Sequence, residues 1–337
     1  MNTEFHYYVN KGITLRAGFN EADAERIAYS AQFVDDNMRL LTVNEGKLNE
    51  FSNYISQTYN ILKPRKTLSH IYTLFHFIPG EPGAQADCFR KKACPLWSTT
   101  PDSANARAVL KQALDSGDLY RIGIASHAYA DTWAHQNFIG LFDESNSMPG
   151  PINNLIPNAG HAGNAPDYAA FVWKDSRLLP KYQSVDNDMR SLEAAKRLFE
   201  EYALYLGKAS EWITRTWSQL AEDISEAFGK RDPLRIREKE RRARYRSLLG
   251  VKTDYDRREW FDQAVQNYHG TLRFRVGYQK SDWMQFQKAV KVYQDETWIL
   301  LKDFFERATN EPSFLTQLED AGKRFVGFPS FPERMFR

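Results

Sequence analysis

Cysteine is almost missing from this chain: only Cys88 and Cys94 occur, both in the polar stretch ADCFRKKACP. Two thiols six residues apart exclude a disulfide-stapled mini-fold and a cysteine-built zinc site, while a short bridged loop and a reduced pair both remain open. Also missing is any run of about 18 apolar residues, so the sequence predicts no membrane-spanning helix. Charge of one sign is lacking too, with 45 Lys and Arg against 43 Asp and Glu. No global field therefore marks a nucleic-acid binder. The opening MNTEFHYYVN has no basic n-region followed by an apolar h-region, which predicts no classical signal peptide and places the protein in the cytoplasm or exports it by another route. HExxH, GxSxG, Walker A, GxGxxG and an adjacent His-Asp pair are all absent, excluding the commonest protease, hydrolase and nucleotide-binding signatures.

What is present is helical periodicity in a chain of 337 residues, enough for one large domain or two moderate ones. Asn20 with Glu21 and Asp23 reads as a capped helix start running to about Phe33. Leu40, Leu41, Leu48, Phe51 and Ile55 suggest a second helix, Ala104 to Leu114 a third, and Asp118 to Phe142 a fourth. From Ala195 to Ile224 apolar residues recur at steps of three and four, predicting one amphipathic helix closed by Gly229. A further helix is predicted from Trp283 through Phe304 to Ala308. Residues 78 to 104, and the stretch carrying His161, are long Pro- and Gly-rich loops of the kind that are usually functional or mobile. The expected fold is all-α. Residues 1–175 form the core with the chemistry, and residues 176–337 form a long-helix region packed on it.

Seven histidines are few, and their placement is informative. In HAYADTWAH, His127, Asp131 and His135 recur every four residues within an apolar helix containing Ile122, Ile124, Ala125, Ala128 and Ala130. That spacing stacks two imidazoles and a carboxylate on one face, a donor set suited to a first-row metal. The same spacing also lets His and Asp pair with each other. Aromatic neighbours of these residues, Phe5, Tyr7, Tyr8, Phe77, Tyr129 and Trp133, fit either a lined cleft or plain core. The basic run 230–246, KRDPLRIREKERRARYR, is interrupted by Glu238 and Glu240 and reads as a solvated helix face, with phosphate contact as the alternative.

Taken in order, His6 in FHYY, Asp35 in AQFVDD, His76 in HFIPG, the HxxxD pair His127 and Asp131, His135, and His161 in GHAGNAPD resemble zinc-dependent phospholipase C and the related single-strand-specific nucleases. The resemblance implies an all-helical core holding one to three Zn²⁺. Within it, His6, Asp35, His76, His127 and Asp131 would be ligands, and His135, His161 and Asp167 would hold a separate ion. It further implies phosphodiester hydrolysis, on phospholipid or single-stranded nucleic acid, with Asp131 bridging metals and Asp35 orienting or deprotonating water. Spacing departs from that pattern in two places: His135 follows Asp131 by only four residues, and Asp167 follows His161 by six. Those enzymes begin at a tryptophan whose amine and carbonyl bind metal; here Met1 stands five residues before His6. FHYY, AQFVDDN, HFIPGE and HAYADTWAHQNF are also similar to a bacterial family of unknown function over about residues 1 to 175. The contrasting expectation is a non-catalytic helical interaction or effector module with one structural metal, every coordination position filled.

Overall fold

Helix boundaries follow from local capping chemistry. In the computed structural model, which describes residues 1–58, 71–80, 88–92, 94–140, 144–146, 148 and 164–304, a π-helical turn at Glu4–Val9 leads straight into α1 (Asn10–Ala17). α2 (Glu21–Asp36) starts where the Asn20 side chain accepts from the Asp23 amide. A second π turn, Tyr72–His76, follows. Ser103 caps α3 (Ala104–Ser116), and the Asp118 carboxylate caps α4 (Leu119–Ala134). The later helices are α5 (Asn187–Tyr205), α6 (Ser210–Phe228), α7 (Glu238–Leu249), α8 (Glu259–Ala264) and α9 (Asp282–Leu300).

α4 is the axis of the molecule. Every residue from Ile122 to Ala134 is buried, and α2, α3, α5 and α9 all pack on it. Small residues permit this. A Cβ added at Gly123 would stand 2.4 Å from the Ile27 carbonyl oxygen and 2.5 Å from Ser30 Cβ, so glycine sets the approach of α2 to α4. The helices after residue 175 share one hydrophobic core with those before it: Phe199, Tyr202, Tyr245 and Trp283 are buried in the same cluster as Tyr8, Ile27 and Tyr129.

Three expectations are corrected. Residues 40–55 are not helical: β1 (Thr42–Val43) pairs antiparallel with β2 (Phe51–Ser52), because Asn44 and Gly46 take positive φ and turn the chain, and the Asn53 side chain accepts from the Leu41 amide. The predicted single helix from Ala195 to Ile224 is two, α5 and α6, broken where Gly207 adopts the left-handed conformation. The fourth helix stops at Ala134, short of Phe142, with His135 as its C-cap. Two further small antiparallel pairs occur, β3 (Val172–Lys174) with β4 (Ser184–Asp186) and β5 (Val265–Tyr268) with β6 (Thr271–Phe274). The fold is otherwise helical. A disulfide joins Cys88 and Cys94, which the sequence left open. Among the described residues no helix is long and apolar enough to cross a membrane.

Candidate metal centre

The two π turns and the facing ends of α2 and α4 meet at one buried point. Widened turns of this kind re-aim side chains and recur at functional sites; here they carry His6 and His76. His127 and Asp131 come from α4 and Asp35 from the last turn of α2.

Ring orientation is fixed by backbone carbonyls. Nδ1 of His127 lies 2.7 Å from the Ala31 carbonyl, and Nε2 of His76 lies 2.9 Å from the Ser56 carbonyl. A carbonyl oxygen can only accept, so both nitrogens carry hydrogen and the opposite nitrogens of the neutral rings present lone pairs. Those two lone-pair nitrogens, His127 Nε2 and His76 Nδ1, are 3.0 Å apart, and each is 3.2 Å from Asp131 Oδ2. Asp35 Oδ1 lies 3.8 Å from the first and 3.9 Å from the second. A tetrahedral ion with bonds of roughly 2.0–2.1 Å has ligand-to-ligand edges of about 3.3–3.4 Å. These separations bracket that value, and the donors bring no proton to one another. Carbonyl-pinned imidazoles are also the usual outer support of metal-binding histidine. The residues therefore fit a cation.

Asp131 is shared. While Oδ2 faces His76 and His127, Oδ1 faces His6 Nε2 at 3.2 Å and the amine of Met1. His6 stacks on His127 with ring centroids 3.8 Å apart. Two groups able to hold a metal ion thus adjoin, Asp35, His76 and His127 on one side, and His6, His127 and Asp131 on the other. A third cluster borders them: His135 Nε2 and the Met1 amine lie 3.3 Å and 3.2 Å from Asp167 Oδ1, an oxygen that receives no well-aligned hydrogen bond. Nδ1 of His135 donates to the His76 carbonyl at 2.7 Å, and Phe77 stacks on its ring at 4.3 Å.

Electrostatics keep the donors in the forms a metal requires. Burial, then His127 and the Met1 ammonium, push His6 well below the ordinary histidine value, and burial does the same to His76. Both stay neutral at pH 7. Burial alone would raise Asp131, but the Met1 ammonium, His135, His127 and His6 outweigh it and hold the carboxyl well below its usual range. The same contest leaves Asp167 at about 2, with the Met1 ammonium and His135 prevailing over burial. Asp35 is raised, chiefly by burial. Against burial, Asp131 and Asp167 lift His135 above its ordinary value and lift the Met1 amine to about 10.

Of the residues singled out from sequence, His6, Asp35, His76, His127, Asp131, His135 and Asp167 converge here; His161 lies outside the described residues. Asp35 rather than Asp36 faces the cluster, since Asp36 accepts from Tyr255 Oη at 2.9 Å. Most of the flanking aromatics are engaged elsewhere: Tyr7 bonds Glu25, Tyr8 bonds Asp254 and Tyr129 bonds Asp102, leaving Phe77 against a site ring. The contact that sequence reasoning missed is the Met1 amine, whose only signal is its distance of five residues from His6.

Also missed was the clamp behind it. Arg241, inside the basic run, is buried, with Nε and Nη2 donating to Glu4 at 2.6 and 3.0 Å and Nη1 donating to Asp232 at 2.7 Å. Glu4 sits between Met1 and His6, so a residue from α7 fixes the N-terminal π turn.

No curated protein and no solved structure matches the chain. One family does: the model of DUF6765, a family of unknown function, matches residues 1–299, well beyond the first 175 where the motif likeness was read, and the chain belongs to that family.

Proposed function

We propose that the protein is a zinc-dependent phosphodiester hydrolase in which His6, Asp35, His76, His127, Asp131, His135 and Asp167 hold the metal. The observation that carries this reading is the division of one carboxylate, Asp131, between two adjoining donor groups, each oxygen facing its own set of nitrogens. When bound, neighbouring divalent ions lower the pKa of water and offset the charge that gathers on phosphate oxygens. The chain's own contribution is positional. His76 and His127 are pinned by carbonyls so that their lone pairs point inward, and Asp131 stays ionised throughout the neutral range.

Asp35 is the residue suited to handle a proton. Its side chain is 28% exposed where His127 is fully buried, so Oδ1 reaches the solvent-facing side of the cluster. A carboxyl raised by burial is a better base than an ordinary aspartate, and deprotonating water is a role open to it. Asp167, 23% exposed, flanks the same opening. These two accessible carboxylates favour an open site over a sealed structural one.

The test is metal content first, then turnover. Purified protein should carry zinc and hydrolyse at least one of bis-p-nitrophenyl phosphate, phosphatidylcholine and single-stranded DNA, with activity lost to a chelator. Asp131→Ala should lower the rate by well over ~10², since it removes both ligation and the geometry of the shared site. Zinc-replete protein inert on all three substrates would instead mean a helical interaction module with a structural metal.

A further inference from the structure

The basic run has an exposed half that the Arg241 clamp does not use. After α6, Pro233, Leu234, Arg235, Ile236 and Arg237 are all exposed. Leu234 and Ile236 are 75% and 73% accessible, alternating in sequence with the two arginines. A single exposed leucine needs no explanation. Here two aliphatics and two cations share five consecutive residues whose conformation is fixed. Asp232, buried, accepts from the amides of Ile236 at 3.1 Å and Arg237 at 2.8 Å as well as from Arg241. The apolar side chains are thus held out in water by a built turn.

The turn also stands next to the candidate metal centre. The Asp232 amide donates to the Ala170 carbonyl at 2.8 Å, and the Arg235 guanidinium lies 4.3 Å over the ring of Tyr168, which directly follows Asp167. Neighbouring carboxylates are already engaged: Asp186 and Asp188 bind Arg231, and Glu238 binds Arg242. Lys230, Arg235 and Arg237 therefore leave the tip positive, although the whole chain carries only +2. Met189, 66% accessible, adds apolar surface beside Asp186, whose carboxylate accepts from its amide.

We infer that residues 230–237 form a docking tip for an anionic phospholipid surface, with Leu234 and Ile236 entering the headgroup layer and Lys230, Arg235 and Arg237 facing lipid phosphates. Apolar side chains interleaved with cations are what an interfacial contact requires, the former for insertion and the latter for attraction to the negative leaflet. A nucleic-acid groove would use the arginines and Tyr168 but gives Leu234 and Ile236 no reason to project. The inference does not depend on hydrolysis.

Co-sedimentation of the full chain with phosphatidylcholine vesicles containing 30% phosphatidylserine, in chelator, tests it whether or not the centre is catalytic. Wild-type protein should pellet with these vesicles, less with pure phosphatidylcholine and less in high salt. Arg235→Gln with Arg237→Gln should weaken partitioning about 25-fold, roughly fivefold per cation. Leu234→Ser with Ile236→Ser should weaken it at least about tenfold. Circular dichroism melts should match wild type, because all four side chains are exposed. Absence of vesicle binding by the wild type, equal binding by the serine variant, or tighter retention on single-stranded DNA than on vesicles would overturn the inference, the last in favour of nucleic acid.

Discussion

Replacing Arg241 with methionine should cost far more than its place in a charge-rich run suggests. The guanidinium is 1% exposed, as is Glu4, and Asp232 is 2% exposed, so three formal charges sit together out of water. Three charge-assisted hydrogen bonds of 2.6 to 3.0 Å join them. Methionine fills much of the volume but strands both carboxylates. Asp232 keeps the amides of Ile236 and Arg237, whereas Glu4 keeps only Tyr245 Oη at 3.1 Å and the more distant Asn2 amide. Breaking a buried pair from one side costs about 3–5 kcal/mol, and Glu4 should bear most of it. Urea unfolding of wild type and Arg241→Met gives the difference directly. Asp115→Ala, which removes the exposed Lys111 bridge, is the control, at no more than about 0.5 kcal/mol. Adding Glu4→Gln to Arg241→Met should recover part of the loss, since the stranded charge is then gone. A loss below about 1 kcal/mol in Arg241→Met would refute the reasoning and return the run to a solvated face. If the loss is found, zinc content should fall as well, because Glu4 positions the turn that bears Met1 and His6.

Other outcomes follow from the same geometry. Residues fused ahead of Met1 convert its amine to an amide without a lone pair to donate, so the extended chain should bind less zinc than the chain beginning at Met1; equal stoichiometry by elemental analysis would remove Met1 from the ligand set. Gly123→Ala forces α2 off α4 and should cost about 1–3 kcal/mol while loosening the approach of Asp35 to His127, read by thermal melting and metal affinity together. Burial opposes ionisation of Asp175, but the hydrogen bonds and charge of Arg177 outweigh it and hold the carboxyl below its usual range. A depressed folded value adds stability above the unfolded pKa of about 3.9 and loses it as pH falls through the folded one. Asp175→Ala should therefore be weaker than wild type by about 3 kcal/mol at pH 7, with the gap closing below about pH 4; a gap independent of pH would show that packing, not ionisation, sets it.

Sequence pattern revealed what was periodic and hid what was not. His127 and Asp131 were legible because one helix carries both at its own repeat, and the carboxylate at Asp35 because it ends a well-capped helix. Their convergence with His76 rests on a π turn, whose extra residue per turn leaves no signature in apolar spacing. The split between α5 and α6 was invisible for a related reason: Ala195 to Ile224 keeps helical phase across Gly207, and only the left-handed φ of that glycine shows that the chain turns. At residues 40–55 the reverse held, with Leu40, Leu41, Leu48 and Phe51 imitating a helix while Asn44 and Gly46 closed a hairpin.

Arg241 marks a deeper limit. Within KERRARYR it is one of four arginines, all alike by composition, and what buries it is Glu4, 237 residues away. A charge run reports an average over its members, yet burial is decided for each by its partner. The same run therefore divides by register, Arg241 turning inward to hold the N-terminal turn and Arg235 and Arg237 remaining in solvent. Asp232 joins the halves, since one carboxylate receives the buried guanidinium and the amides that shape the exposed tip. Asp232→Ala should therefore disturb both at once, lowering zinc content and vesicle binding in a single variant, whereas the exposed arginine and aliphatic pairs should affect vesicle binding alone. Loss of one property without the other in Asp232→Ala would show that the two halves of the run are structurally independent.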